Sequence, residues 1–240
     1  MKEQKDYKII YEDDYLVVIN KAPMVLTIPD RWNDKLPSIY KSLKDKYNEI
    51  FIVHRLDRDT SGIMVFAKDA DTHRYLSQLF EKHEIEKIYH AIVEGQFSEE
   101  PIEIDIPISP DPTIKGKSRP SARGKASLTK VKLISNYKKS ALVKCLLVTG
   151  RHHQIRVHLA AIGQPLLVDA LYGNNSEFLV SSIKKKFNLK KHTDEKPILA
   201  RNSLHAYSLR FIHPITSQEL EFTADYPKDF AASIQVLEKY

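Results

Sequence analysis

The chain carries the stretch HRLDRDTSG, His54–Gly62, between two apolar segments, IFIV before it and IMVFA after it. Short apolar runs rich in β-branched and aromatic residues are typical of buried strands. The nine residues between them hold two arginines, two aspartates, a histidine and two hydroxyl side chains. A chain that places this much charge between two buried strands must have a structural or a chemical use for it.

Asp57 is the residue of this loop that turn chemistry leaves unexplained. Asp59 begins the sequence Asp-Thr-Ser-Gly, which is typical of a turn. Asp57 lies nearer the first strand, between Arg55 and Arg58, whose charges would keep its carboxylate ionised. A catalytic nucleophile or base would account for it, and so would a structural salt bridge.

The apolar patterns predict more strands than helices. Helical spacing is found in four segments, at residues 36–48, 69–85, 151–163 and 229–240,. We therefore expect an α+β fold, with a mixed, largely antiparallel sheet flanked by helices. A chain of 240 residues allows one elaborated domain or two small lobes,. Because no repeat and no clear linker is found, we interpret residues 1–240 as a single domain, with a basic, polar excursion at about 174–196.

The charge of the chain is unevenly distributed. The net charge is +6, but no aspartate or glutamate occurs between Pro112 and Val168, where twelve lysines and arginines lie. An ordinary solvated face mixes charges of both signs. An all-basic surface is expected for a protein that binds a polyanion, and nucleic acid is the foremost candidate.

The segment RHHQIRVHLAAIG, residues 151–163, predicts a helix that ends at Gly163,. His152, Ile155, Arg156 and Leu159 would share one face, and Ile162 extends that face, so we expect it to pack inward. Arg156 is thereby drawn towards the interior, where a guanidinium needs an anionic partner. No acid lies within a dozen residues, so a protein partner must come from elsewhere in the chain. The alternative is an arginine that reaches the surface or binds backbone phosphate.

Several classes of function are excluded by what the sequence lacks. His153 and His158 are five residues apart, which does not align them on a helix face, and we expect no metal site. Cys145 lies in an apolar run and is expected in a strand core. There is no phosphate-binding glycine motif and no serine-hydrolase elbow. No secretory signal or apolar span is found, so we expect a cytoplasmic protein without a membrane segment.

Four motifs occur here in one chain and in a fixed order: HRLDRDTSG, KIYHAIVEG, TGRHHQIRVHLAAIGQPLLVDALYG and SLHAYSLRFIHP. Together they closely resemble the RluA-type family of RNA pseudouridine synthases, and YEDDYLVVINKAPMVL is similar to the opening motif of that family. The resemblance covers roughly residues 7 to 225. The chain starts about six residues before the first strand, so we expect a form without the N-terminal S4-like domain that many relatives carry.

The resemblance implies roles for individual residues. Asp57 would be the essential aspartate, Tyr89 the active-site tyrosine that stacks on the uracil, and Arg156 the basic residue that pairs with the aspartate. Arg55 would fill the gap left by a flipped base. The residues expected to bind the RNA substrate are Arg55, His54, Arg151, Lys115, Lys117, Arg119 and Arg123.

The implied reaction is the isomerisation of specific uridines to pseudouridine in structured ribosomal or transfer RNA. The bond between N1 and C1′ breaks, the base turns, and C5 takes the place of N1, so no cofactor is needed. The uridine must first leave its stack, because the reacting bonds are not reachable inside a helix. The aspartate could attack the sugar or the base, or remove a ribose proton. RNA is the expected partner of a monomer that has no obligate protein partner.

Two other classes of function are alternatives to an RNA pseudouridine synthase. A catalytically silent RNA-binding or chaperone protein on the same fold would bind RNA without isomerising it. A phosphate-ester nuclease would need paired metal-binding acids, which are not found.

Three positions depart from the family pattern. Ala22 and Met24 stand in the opening motif where proline and glycine are typical, and Val168 replaces the glycine that usually precedes Asp169. Loss of a glycine from a turn predicts a different backbone geometry there.

Overall fold

The computed structural model describes residues 6–30, 33, 35–184, 187–188 and 194–240. The strands are β1 (Tyr7–Glu12), β2 (Leu16–Lys21), β3 (Phe51–Ile52), β4 (Ser61–Ala67), β5 (Glu86–Glu94), β6 (Ile102–Asp105), β7 (Ile108–Pro110), β8 (Ser118–Pro120), β9 (Leu128–Asn136), β10 (Ser140–Leu147), β11 (Leu204–Ile212) and β12 (Glu219–Thr223). The helices are α1 (Ile39–Lys44), α2 (Ala70–Glu81), α3 (Gln154–Ala161) and α4 (Lys228–Lys239), with one 3-10 turn at Val180–Ser182.

The chain divides into two compact units. Unit 1 comprises the chain up to Ile88 together with His205–Asp225, and unit 2 comprises Tyr89–Leu204 together with Tyr226–Tyr240. The boundary therefore falls within β5, after Ile88.

In unit 1, strands β1, β2, β4 and β11 lie side by side in that order, with β3 added to β4 and β12 to β11. Every pair is antiparallel except β4 with β11, which is parallel. All seven residues of β4 are buried, because it has neighbours on both edges and α2 packs against it. Asp69 caps α2 by accepting the N–H of Thr72 at 2.8 Å,.

In unit 2, strands β5, β10, β9 and β6 follow one another, and β7 and β8 form a separate antiparallel ribbon. The pairs β9 with β10 and β6 with β9 are also antiparallel. The predicted α+β fold with a mixed, largely antiparallel sheet and flanking helices is therefore confirmed. Cys145 is buried on β10 as expected, and burial raises the pKa of its thiol to about 12.

The core of unit 2 gathers apolar side chains from β5, β10, α4 and the segment after α3. Its buried members are Ile92, Leu142, Val168, Phe178, Leu199, Phe230 and Leu237. Phe178 falls inside the excursion expected at 174–196, yet it is 3% exposed and pairs through its backbone with Leu199. Residues 174–177 are exposed, and 185–186 and 189–193 lie outside the described residues.

Within the described part of the chain, no helix is both long enough and apolar enough to cross a membrane.

Candidate active site and basic groove

The loop that carries Asp57 follows β3 in unit 1 and leads directly into β4. Lys21 lies beneath it and is 0% exposed. Its ammonium donates hydrogen bonds to the carbonyl oxygens of Ala22 (2.8 Å), Val25 (2.8 Å) and Arg58 (3.1 Å). A buried ammonium is tolerated only where acceptors replace its water. Lys21 therefore ties the opening motif to the residue that follows Asp57.

Thr27 holds the backbone of the residue that precedes Asp57. Its hydroxyl donates to the carbonyl oxygen of Leu56 at 2.9 Å and accepts the N–H of Leu56 at 3.2 Å. Both backbone groups of the residue before Asp57 are thus held by one buried side chain. The carbonyl oxygen of Asp57 itself accepts the N–H of Thr60 at 3.1 Å, which closes the turn.

The end of the loop is anchored to β11. Gly62 has φ +118° and faces Ala206 in the parallel pair, and a Cβ at Gly62 would lie 2.1 Å from the carbonyl oxygen of Ala206. Ser61 Oγ lies 2.9 Å from Nδ1 of His205, whose Nε2 lies 3.1 Å from the carbonyl oxygen of Ala224. A carbonyl only accepts, so Nε2 carries a hydrogen and donates it to Ala224.

Met24, one of the substituted positions of the opening turn, takes a conformation that glycine adopts easily. Met24 has φ 65° and is 53% exposed. The left-handed region costs little for glycine and more for other residues. Met24 therefore lies in the left-handed region, between the carbonyls of Ala22 and Val25 that Lys21 holds. The expected difference in backbone geometry from the family stays a prediction.

His54 and Arg55 differ in their surroundings. The Nε2 atom of His54 accepts the N–H of Val65 at 3.1 Å, and its ring stacks on Phe80 with 4.6 Å between centroids. Burial, and secondarily the charge of Lys87, lower the pKa of His54 to about 3. These contacts give His54 a structural role as a neutral ring, and its contact with RNA stays a prediction. Arg55 is exposed.

Tyr89 and Arg156, the other two catalytic candidates, belong to unit 2. Tyr89 lies on β5 and is 9% exposed. Arg156 lies on α3 and is 8% exposed, so the inward position predicted for it is confirmed.

The guanidinium of Arg156 forms a bidentate ion pair with the carboxylate of Asp169. Its Nε donates to Oδ2 at 2.7 Å and its Nη2 to Oδ1 at 2.8 Å. Burial alone would raise the pKa of Asp169, but the hydrogen bonds and charge of Arg156, with the N–H groups of Leu171 and Tyr172, hold that pKa below its usual value. Sequence reasoning missed this pair, although Asp169 is the first acid after the acid-free window. Val168, the residue in place of glycine, is buried beside it.

The helix that carries Arg156 is shorter and more buried than predicted. It begins at Gln154, after His153 in a left-handed conformation with φ 56°, so His152 lies outside it. All six residues from Gln154 to Leu159 are buried. The inward packing expected for Ile162 is wrong, since it caps the helix and is 36% exposed. Because this helix is buried on all its faces, its apolar residues do not form a single stripe that Ile162 could extend.

A groove of roughly 450 Å³ lies beside the β7–β8 ribbon in unit 2. The described residues that line it include no acid, and the basic members are Lys117, Lys125, Arg151 and His152. Arg151 is oriented by a bond from its Nε to the carbonyl oxygen of Ala126 at 3.1 Å. We call these residues the basic groove.

The predicted RNA-binding residues of unit 2 lie in or near the basic groove. Lys117 and Arg151 line it, whereas Lys115, Arg119 and Arg123 are exposed on the β7–β8 ribbon and the loops next to it. Gly124 allows the chain after β8 to approach β7 closely, because a Cβ there would lie 2.5 Å from the backbone of Ile108.

A comparison with known proteins identifies the class to which this fold and these residues belong. The family model for RNA pseudouridylate synthase matches residues 15–161. The chain belongs to this family. It is accordingly an RNA pseudouridine synthase, an isomerase that converts uridine in RNA to pseudouridine.

Relatives and solved structures agree with this assignment. The RNA pseudouridine synthase YhcT of Bacillus subtilis is 33% identical over 95% of this chain and 71% of its own length. Ribosomal large subunit pseudouridine synthase D of Zymomonas mobilis is 33% identical, over 96% and 72%. The structure of human RNA pseudouridylate synthase domain containing 4 is similar with a TM-score of 0.72 and 25% identity, over 96% of this chain and 92% of that one.

Proposed function

We propose that this chain forms pseudouridine in ribosomal RNA of the large subunit, with Asp57 as its essential aspartate. The observation that carries the role of Asp57 is the way its neighbours are held. Thr27 binds both backbone groups of Leu56, and Lys21 binds the carbonyl of Arg58. The backbone of the residue before Asp57 and that of the residue after it are thus each held by a buried side chain, which is how a reacting group is preorganised.

The proposed roles of the other residues follow the family pattern. Tyr89 stacks on the uracil, Arg156 is the basic partner in the reaction, and Arg55 fills the space of the flipped uridine. The buried bond to Asp169 supports a positioned guanidinium, since it fixes the plane and direction of the Arg156 side chain,. The reaction exchanges no electrons and transfers no group to another molecule, so we propose that it proceeds without a cofactor.

We propose that the basic groove holds the phosphate backbone of the RNA. Within the part of the chain that the structure describes, four basic side chains line it and no acid does. Phosphate contacts position a protein on nucleic acid without reading its sequence. The choice of uridine would therefore depend on the loops that receive the flipped base.

We further propose that both units form one catalytic domain, which acts as a monomer in the cytoplasm without an obligate protein partner. The family match supports a single domain, because residues 15–161 span the boundary after Ile88. Light scattering of the purified protein would test the monomer.

The proposed substrate is tested by mapping pseudouridine in total RNA from cells with and without the gene. We expect one or a few sites in large-subunit ribosomal RNA to lose the modification, and a copy of the gene with Asp57→Asn to leave them unmodified. Loss confined to transfer RNA would contradict the ribosomal substrate, and no loss in any RNA would favour a silent RNA-binding protein.

Neutralising the basic groove and its surroundings should weaken RNA binding and reduce its salt dependence. The variant replaces Lys115, Lys117, Arg119, Arg123 and Lys125 by glutamine. Each lost phosphate contact should lower the slope of log affinity against log salt by about 0.7 to 0.9. The slope is measured by fluorescence anisotropy with a labelled ribosomal RNA fragment.

The matched control neutralises five lysines of the same acid-free window that lie outside the basic groove. Lys130, Lys132, Lys138, Lys139 and Lys144 are exposed on β9, β10 and the turn between them, and none lines the groove. Their replacement by glutamine should change the slope little. An unchanged slope in the first variant would exclude phosphate contacts there, and equal losses in both would indicate a diffuse charge effect.

A further inference from the structure

Tyr172 connects the β7–β8 ribbon to the helix that carries Arg156. Its hydroxyl oxygen accepts the N–H of Ser118, the first residue of β8, at 2.8 Å. The same oxygen lies 2.8 Å from Nδ1 of His153, the residue that precedes α3. An oxygen that accepts one hydrogen bond can donate another, so one phenol holds both segments.

The ring and backbone of Tyr172 also contact the buried ion pair. The guanidinium carbon of Arg156 lies 4.9 Å from the ring centroid. The N–H of Tyr172 donates to Oδ1 of Asp169 at 3.1 Å, the same oxygen that accepts from Nη2 of Arg156. Tyr172 therefore contacts both members of the pair that orients Arg156.

A second cation contacts the same ring from the basic groove. Lys117 Nζ lies 5.4 Å from the centroid of Tyr172, and Lys117 lines the groove. Two cations within about 6 Å of one ring are both attracted by its π-system and repel each other. A phosphate bound by Lys117 would neutralise one of them and strengthen the hold of the ring on Arg156.

A parallel link reinforces the connection. Ser118 Oγ lies 3.0 Å from Nδ1 of His152, and the rings of His152 and His153 stack with 3.7 Å between centroids. The groove-lining ribbon is thus joined to the start of α3 at two points, through Tyr172 and through His152.

We propose that Tyr172 is a positioning residue that couples RNA phosphate bound in the basic groove to the orientation of Arg156. The inference rests on the proposed function of the groove and of Arg156. It gives the hydroxyl and the ring separate tasks. The hydroxyl holds the ribbon in the position that binds RNA, and the ring holds the guanidinium.

The two tasks are separated by two substitutions. Tyr172→Phe keeps the ring and removes both hydrogen bonds of the hydroxyl. We expect RNA affinity to fall roughly fivefold to tenfold, the equivalent of about one hydrogen bond. The rate at saturating RNA should fall by less than the affinity does, because the ring still contacts the guanidinium of Arg156. Tyr172→Leu removes the ring as well, and we expect that rate to fall at least about tenfold further.

The measurements are anisotropy with a labelled ribosomal RNA fragment and tritium release from the same RNA carrying label at uridine C5. Hydrogen exchange of the Ser118 amide is a third readout, and it should quicken in Tyr172→Phe. Tyr137→Phe is the matched control, since this half-buried tyrosine packs against the core of unit 2 away from the groove lining. It should leave affinity, rate and Ser118 exchange unchanged.

If Tyr172→Phe kept the wild-type RNA affinity and the wild-type exchange rate of the Ser118 amide, the proposed role of the hydroxyl would be refuted. An unchanged rate at saturating RNA in Tyr172→Leu would refute the proposed role of the ring. An equal loss of that rate in Tyr172→Leu and in Tyr137→Phe would refute it as well. Affinity and exchange require no turnover. A wild-type protein that releases no tritium from any RNA would therefore refute the proposed function, while these two arms would still decide the coupling of Tyr172 to the ribbon.

Discussion

Replacing Asp57 by asparagine is expected to abolish pseudouridine formation while the protein still folds and binds RNA. Asparagine keeps the size and much of the hydrogen bonding of aspartate but removes the charge and the nucleophilic oxygen. The backbone on both sides is held by Thr27 and Lys21, so the loop should keep its shape. Loss of an essential catalytic group costs at least roughly a thousandfold in rate. Tritium release from RNA labelled at uridine C5, with binding measured in parallel, gives both quantities.

Asp59 provides the matched control because it lies two residues away in the same loop. Its carboxylate accepts a hydrogen bond from Nε of the exposed Arg58 at 2.9 Å, which is an ordinary surface contact,. Asp59 lies within the turn that the hydrogen bond between Asp57 and Thr60 closes. Asparagine is also common in turns, so Asp59→Asn should keep turnover within a few fold of wild type. The assignment of the loop would be falsified if Asp57→Asn turned over near the wild-type rate.

The second large effect is expected at Gly62. A Cβ there would lie 2.1 Å from the carbonyl oxygen of Ala206 and 2.7 Å from its carbonyl carbon and its nitrogen. These are backbone atoms of a paired strand and cannot rotate away, and φ +118° is itself unfavourable for alanine,. Gly62→Ala should therefore lower the free energy of unfolding by more than about 3 kcal/mol or prevent folding. Urea unfolding followed by circular dichroism measures the loss.

Gly163→Ala separates the steric clash from the backbone conformation. Gly163 also has a positive φ, +76°, but a Cβ there meets nothing within 4 Å. Its replacement should cost only about 1 kcal/mol, the usual penalty for a left-handed residue with a side chain. Equal losses of the free energy of unfolding in the two variants would show that the backbone conformation alone matters. They would also show that β4 and β11 do not pack closely at Gly62.

The loop and the charge distribution illustrate what could be predicted. The apolar segments on either side of HRLDRDTSG predicted strands, and β4 follows the loop as expected, although β3 has only two residues. The acid-free window predicted a basic surface, and its basic residues line a groove where no acid is found among the described residues. Such patterns are local, since the spacing of apolar and charged residues reflects which side of an element faces water.

The helix around Arg156 shows where local patterns fail. The inward direction of the arginine was predicted, but its partner Asp169 and the exposure of Ile162 were not. The apolar spacing of one helix identifies its most buried face, yet α3 is buried on every side by neighbours from elsewhere in the chain. Ion-pair partners also depend on how segments meet, which spacing within one segment does not contain.

The sequence by itself determined the strand and helix types, the basic window, and, through its motifs, Asp57 as the candidate essential aspartate. Only the tertiary structure decided what holds that residue and its partners. Ser61 meets His205 across 144 positions, Lys21 meets Arg58 across 37, and Tyr172 meets Ser118 across 54. These contacts join side chains to backbone groups or side chains that are remote in the chain. Their geometry is set by strand pairing and burial, which arise only when the whole chain packs together.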